Sequence, residues 1–176
     1  MKKIETKRFI LRKVKLEDAE KIYNILSNKN VISNLNMDIH KSIEDTYELI
    51  NSYFEGLEQN AKFPFAIIDK ESKEFVGVFL VKLDLYDEDC YEFTIYLDEK
   101  YWGKGIYKEV LPYMVEFVFK DIGTENFRGF VMEKNIISAR VLEKYGFSLE
   151  KIFNVPGIDG KILSFLMTKK EYMNKK

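Results

Sequence analysis

One cysteine and one histidine are all that the 176 residues hold of the two strongest metal-ligand side chains. A lone Cys90 excludes an intramolecular disulfide framework and fits a reducing compartment. Cys90 and His40 are together too few for a Cys/His zinc site, and their spacing gives no support to a Cys–His nucleophilic pair. No apolar run approaches the roughly 20 residues of a membrane-crossing helix. Charge of one sign is missing too: 28 basic residues face 29 acidic ones, and a net charge of −1 carries no nucleic-acid or membrane-surface footprint. The opening Met1-Lys2-Lys3-Ile4-Glu5-Thr6-Lys7 turns polar before the apolar stretch of a signal peptide forms. The expectation is a cytoplasmic protein without nucleic-acid, membrane or metal partners.

What is present suits a packed interior. Hydrophobic residues make up 46% of the chain, with 14 Phe and 11 Tyr, enough for a full core in one domain spanning residues 1–176. Phe9-Ile10-Leu11 between two arginines reads as a first strand, and Leu16-Glu17-Asp18 opens a helix with Ala19, Ile22, Tyr23, Ile25 and Leu26 at helical spacing. Residues 28–40 read as an irregular loop. Ser42 with Asp45 three residues later marks a capped helix start, and that helix is expected to reach about Gly56 and bury Tyr47, Ile50, Tyr53 and Phe54. Residues 63–68 and 75–83 form a hairpin around the polar 69–74. Further strands are expected at 91–97, at 127–132, and on either side of the turn 156–160, at Phe153 and at 162–167. The lysine-rich tail, 169–176, reads as a solvated end.

Between the strand at 91–97 and an apolar-periodic helix running to about Asp121 lies Lys100-Tyr101-Trp102-Gly103-Lys104-Gly105-Ile106-Tyr107. Strand, glycine turn and helix start leave backbone N–H groups unpaired at the positive end of a helix, which favours an anion such as a phosphate. Glycines at 103 and 105 permit conformations and close approaches that a Cβ forbids. Pro112 falls inside the helix that follows and predicts either a kink or an irregular first turn.

A second segment, Asn135-Ile136-Ile137-Ser138-Ala139-Arg140-Val141-Leu142-Glu143-Lys144-Tyr145-Gly146-Phe147, reads as a helix with Asn135 as N-cap and a glycine-terminated Schellman ending. The ordered pair of motifs resembles the GNAT superfamily of acetyl-CoA-dependent N-acetyltransferases. Within it, Trp-Gly-Lys-Gly, the Ser-x-x-Val-Leu-Glu-Lys-x-Gly-Phe helix and the opening Thr6-Lys7-Arg8-Phe9-Ile10-Leu11-Arg12 resemble the RimJ/RimL ribosomal-protein N-terminal acetyltransferases. The resemblance covers nearly the whole chain. It implies an α+β GNAT fold: a central mixed, mostly antiparallel twisted sheet of about seven strands, helices on both faces, and splayed parallel strands at the coenzyme site. It also implies acetyl-CoA as co-substrate and an amine acceptor. A homodimer is left open.

By the same resemblance the turn is the family's Gln/Arg-x-x-Gly-x-Gly/Ala cradle for the coenzyme pyrophosphate, with Lys100 standing where the family has Gln or Arg. Lysine keeps the charge and loses the planar fork of arginine. Cofactor contacts are therefore expected from Lys100, Trp102, Gly103, Lys104, Gly105, Ile106 and Tyr107. They are also expected from Ile95, Tyr96 and Leu97 along the pantetheine, and from Asn135, Ser138 and Arg140. Either Ile95 or Tyr96 supplies the oxyanion N–H. Glu92 is the expected general base and Ser138 the proton donor; both have a bland alternative, a solvent-facing strand residue and an ordinary first-turn polar residue. The tyrosine that many GNAT enzymes carry seven residues after the capping Asn is replaced here by Leu142, and Tyr145 reads as packing. Lys104 with Lys108 and Arg140 with Lys144 are i,i+4 cations within reach of coenzyme phosphates or on a solvated face.

The acceptor is less defined. The acidic residues 84–92 either attract a cationic amine or form a solvated loop. A peptide α-amine, with a pKa of about 7.7–8.0 against about 10.4 for lysine, asks less of an acid–base apparatus. This leans towards N-terminal acetylation. Polyamines, antibiotics and other small amines stay open, as does an acyl-CoA-binding module without turnover.

Overall fold

The computed structural model describes residues 1–35, 37–155 and 160–174. Eight strands form one sheet: β1 (Ile4–Glu5), β2 (Phe9–Lys13), β3 (Lys62–Asp69), β4 (Phe75–Leu83), β5 (Cys90–Leu97), β6 (Asn126–Met132), β7 (Ser148–Asn154) and β8 (Lys161–Thr168). Their order is β1-β2-β3-β4-β5-β6-β8-β7. All neighbours are antiparallel except β5 and β6. The strand beyond the expected seven is β1, two residues long and held by two register pairs, Ile4 with Leu11 and Glu5 with Ile10. So short a segment has no period to read.

Six helices cover the sheet among the described residues: α1 (Ala19–Leu26), α2 (Lys29–Ile32), α3 (Ile43–Glu58), α4 (Ile106–Glu116), α5 (Ile136–Tyr145) and α6 (Lys169–Met173). The expected loop 28–40 therefore contains a helical turn, capped by Asn28, whose side chain accepts a hydrogen bond from the Asn30 N–H. α3 starts at Ser42 with the capping box formed: the Asp45 carboxylate accepts from the Ser42 N–H at 3.1 Å. Its buried stripe is Thr46, Ile50, Tyr53 and Gly56. Tyr47, expected inside, is exposed, because it lies one helical step (100°) from Thr46 and off the stripe.

Alternation along the central strands sends side chains into two cores. Phe65, Ile67, Phe79, Val81 and Phe93 pack with Val110, Leu111, Met114 and Leu142 beneath α4 and α5. Ala66, Val78, Leu80 and Tyr96 pack with Ile22, Leu26, Ile50 and Tyr53 beneath α1 and α3. Each large apolar side chain so buried contributes about 1.5–3 kcal/mol. α4 continues as an α-helix through Pro112, and the irregularity falls later, where residues 117–122 turn with π-type bonding. α5 ends as expected: the N–H of Phe147 donates to the Leu142 carbonyl and that of Gly146 to Glu143, a Schellman pair. The turn centre at 156–159 and the last two lysines, 175 and 176, lie outside the described residues. No helix among the described residues is long and apolar enough to cross a membrane.

Candidate active site

β5 and β6 run side by side only from Cys90 with Asn126 to Phe93 with Gly129. Beyond that pair β6 stays bonded to β8 while β5 stays bonded to β4, so the two strands part. The glycine at 129 belongs to this split: an added Cβ would meet the Phe93 ring at 2.7 Å. Phe93 is the hub of an aromatic cluster, with ring centroids 4.9 Å from Phe127 and 5.1 Å from Phe79.

Register decides which groups face the gap. Asp98 N–H bonds the Val76 carbonyl, and the Asp84 N–H bonds that of Cys90. Antiparallel pairing alternates, so the backbones of Glu92, Thr94 and Tyr96 are turned to β4 and those of Ile95 and Leu97 to the opening. Tyr96 is thereby separated from Ile95. Its side chain is buried on the far face with its hydroxyl 3.1 Å from that of Tyr53, and burial drives both phenols upward, Tyr53 to about 12. Tyr96 is a core residue with its side chain away from the opening, to which the backbones of Ile95 and Leu97 are turned. The Leu97 carbonyl accepts from the Trp102 indole at 3.2 Å, which ties the following turn to the end of β5.

That turn begins with Asp98, whose carboxylate accepts from the Lys100 N–H at 3.1 Å. Gly103 and Gly105 then take φ values of +72° and +70°, the left-handed region that favours glycine. Gly105 caps α4 without a side chain, and the first backbone bond of the helix is Glu109 N–H to the Gly105 carbonyl. Among the described residues no acceptor meets the N–H groups of residues 103–108, and a Cβ at Gly103 would touch nothing within 4 Å. These unbonded amides lie at the positive end of a helix. The turn is braced from outside by Arg8, which donates to the Lys104 carbonyl at 3.0 Å and to the Glu109 carboxylate at 2.6 Å. Thr6 donates to the same carboxylate. Burial raises the Glu109 pKa, but the Thr6 and Arg8 bonds outweigh it and hold the carboxyl below its ordinary value.

The expected side chains divide into three groups. Glu92, Ile95, Tyr107, Asn135 and Ser138 line one pocket of about 370 Å³ at the split. Asn135 caps α5 through its side-chain oxygen, which accepts from the Ser138 N–H at 3.2 Å. Arg140 lies elsewhere, in a groove between α4 and α5 with Lys108, Lys144 and Pro112. The ammonium groups of Lys100 and Lys104 sit over the Tyr101 ring, and Lys100 is 3.7 Å from Glu74. Lys100 thus has the carboxylates of Glu74 and Asp98 as neighbours on an exposed surface.

On the α1–α3 face, a polar strip crosses the sheet beside Glu92. Lys82 pairs with Glu92, and Arg128, next to Glu92 in register, binds Asp84 and reaches Glu150 at 3.1 Å. Asp84 is thus consumed by Arg128. The acidic loop it belongs to folds on itself, with Asp87 accepting from the Asp89 N–H. Cys90 is buried beneath the strip, and burial pushes its thiol up to about 12, so it stays an inert thiol. Among the described residues no group of three or more His, Cys, Asp or Glu side chains is placed to hold a metal ion.

A family model described as an acetyltransferase (GNAT) domain matches residues 8–148. The chain belongs to the GNAT acetyltransferases. Enzymes of this family take their acetyl group from acetyl-CoA, which makes acetyl-CoA the co-substrate of this GNAT N-acetyltransferase. It is 26% identical over 149 residues to the uncharacterized N-acetyltransferase YoaA of Bacillus subtilis, covering 85% of this chain and 84% of that one. Its fold matches that of spermidine N-acetyltransferase from Vibrio cholerae in complex with CoA and spermine, with a TM-score of 0.82, 21% identity and coverage of 95% and 99% of the two chains. It equally matches ribosomal-protein-S5-alanine acetyltransferase from Vibrio fischeri, at a TM-score of 0.83, 19% identity and coverage of 98% and 99%. At these identities the solved structures establish the shared GNAT fold and leave the acceptor unassigned.

Three features of the site escaped sequence reasoning. The Arg8–Glu109 brace joins residues 101 apart. Asn34 and Leu35 line the pocket from a segment without a motif. The partners of Glu92 depend on register across three strands. A basic residue next to Phe9 and an acid in the first turns of α4 were visible, but nothing local connects them.

Proposed function

We propose that this GNAT enzyme holds the pyrophosphate of acetyl-CoA on the amides of residues 103–108 and runs the pantetheine along Ile95 and Leu97. The acetyl group would then lie in the gap beyond Phe93. The carrying observation is the parting of β5 and β6, which leaves the Ile95 N–H facing the opening just before an uncapped helix start. That N–H is the oxyanion donor. Glu92, oriented by Lys82, takes the proton of the attacking amine through water, and Ser138 hydrogen-bonds the thioester sulfur. Lys108, Arg140 and Lys144 offer the nucleotide end of the coenzyme a basic groove.

For the acceptor we favour a protein or peptide N-terminus, the RimJ/RimL-like reading, over a polyamine. The described pocket wall holds one carboxylate, Glu92, already paired with Lys82. Around it are Leu35, Phe130, Phe153 and Ile162, an apolar flank for a residue side chain. A polyamine carries several charges and needs several unpaired carboxylates. The test is thiol release from acetyl-CoA with short peptides bearing free N-termini, spermidine and an aminoglycoside. Fastest turnover of a peptide supports the reading, and preference for spermidine overturns it. Coenzyme binding without release for any amine would make the protein an acyl-CoA sensor. Ser138→Ala is expected to lower kcat more than coenzyme affinity, and equal rates remove Ser138 from the chemistry.

A further inference from the structure

Tyr107, the second residue of α4, shares the pocket wall with Ile95, Asn135 and Ser138. Its ring centroid lies 6.4 Å from that of Phe93, the last β5 residue before the strands part. Four neighbouring tyrosine hydroxyls make hydrogen bonds: Tyr53 with Tyr96, Tyr91 with the Asn60 carbonyl at 2.7 Å, and Tyr101 with Glu74. The Tyr107 hydroxyl has no hydrogen-bond partner among the described residues, although its surroundings are desolvating enough to drive its pKa well above the ordinary phenol range. Tyr107 is half-buried and its residue lines this pocket, so its hydroxyl is left free to bond a ligand there. No phenol reaches that space from α5. Leu142 is fully buried, its Cδ1 3.2 Å from where a Gly129 Cβ would lie, and Tyr145 lines the separate groove between α4 and α5.

On the acetyl-transfer reading above, we propose that the Tyr107 hydroxyl is the proton donor to the departing coenzyme A sulfur. The amine nitrogen forms the C–N bond, and the carbonyl oxygen becomes an oxyanion at the Ile95 N–H. The surplus nitrogen proton passes through water to Glu92. Collapse re-forms the C=O bond and breaks the C–S bond, whose electron pair goes to sulfur. The Tyr107 proton follows it, giving the amide and free coenzyme A thiol. The phenolate regains a proton from Glu92 through solvent, so the residue ends each turnover unchanged. A phenol is a far stronger acid than the alcohol of Ser138 and lies nearer to a thiol, with reference values of about 10 and about 8.5. Ser138 is then a second hydrogen bond to the same sulfur.

The proposal is tested with Tyr107→Phe, which removes only a hydroxyl that no described residue uses. The first measurement needs no acceptor: coenzyme A is bound to the protein and its thiolate absorbance followed against pH. A hydroxyl donating to sulfur stabilises the thiolate, so the bound thiol should ionise roughly one pH unit lower in the wild type than in Tyr107→Phe. The second is steady-state acetyl-CoA turnover with the best amine of the panel. There kcat should fall about 10- to 100-fold, while coenzyme A affinity and KM for acetyl-CoA stay within about twofold. An unchanged thiol titration, or an unchanged kcat in an active enzyme, overturns the role of Tyr107. If the wild type releases no thiol with any amine, the titration still decides whether Tyr107 meets the sulfur. Failure of the wild type to bind coenzyme A removes the underlying reading and the proposal with it.

Discussion

α3 and α4 begin in opposite ways. α3 opens on Ser42 and Asp45, whose side chains form a capping box with each other's backbone N–H groups. α4 opens on a left-handed glycine that has no side chain to give, after a turn whose amides meet no acceptor among the described residues. Both starts expose the same number of orphan N–H groups by geometry. A helix start that the sequence satisfies from within serves the fold, and one that it keeps open, at some cost in stability, serves an anion. α5 stands between the two: Asn135 caps it, yet its first turn presents Ser138 to the pocket.

The largest expected effect comes from closing the open start. Gly103→Val puts a β-branched side chain at φ +72°, in free space at the proposed pyrophosphate cradle. Coenzyme A affinity, measured by calorimetry, should fall at least about 1,000-fold, or about 4 kcal/mol, with the native fold retained. Unchanged affinity would sink the cradle. Next comes the chemistry on the far side of the gap. Glu92→Gln should lower kcat by about 100-fold with coenzyme affinity intact, and a variant as fast as wild type would show that Glu92 serves only Lys82. The converse experiment is Ser42→Ala at α3, expected to lower unfolding free energy by about 1 kcal/mol without touching coenzyme affinity. Any change in binding there would blur the contrast between the two helix starts. The smallest effect is Lys100→Ala. Its ammonium is already held by Glu74 and Asp98, so coenzyme affinity should change by no more than about threefold at physiological salt. A large loss would mean the side chain, not the backbone, holds the anion.

The brace behind the open start predicts a pH dependence. Glu109 is held below its ordinary value of 4.5, so its contribution to stability is complete above that pH and is lost as pH falls through the lower folded value. Glu109→Gln should flatten that acid limb of the melting temperature against pH, and an unaltered limb would show that the Arg8–Thr6 brace is not what fails in acid.

Whatever was local was legible. The glycine turn, the Ser42 and Asn135 caps and the Schellman ending are each written within a few residues, and each is found where those residues stand. Tyr47 was misplaced because helical spacing admits a wide apolar stripe, and only packing against β3 and β4 decides its edge. The resemblance left both Ile95 and Tyr96 open; strand register, a property of two segments at once, turns the backbone of Ile95 to the opening and that of Tyr96 to β4. The Tyr107 pocket position, the Arg8 brace and the pairing of Glu92 all arise from residues far apart in the chain, and no spacing rule reaches them.

The split between β5 and β6 has a mechanical side. β6 is held to β8 along seven register pairs, but to β5 along only four. The sheet is therefore two panels sharing a short seam, and the seam lies at the proposed reaction centre. A pantetheine arm laid along Ile95 and Leu97 would lengthen that seam as an extra, non-peptide strand. The co-substrate would then act as a removable fastener between the panels, and the empty protein would breathe along the line where its chemistry takes place.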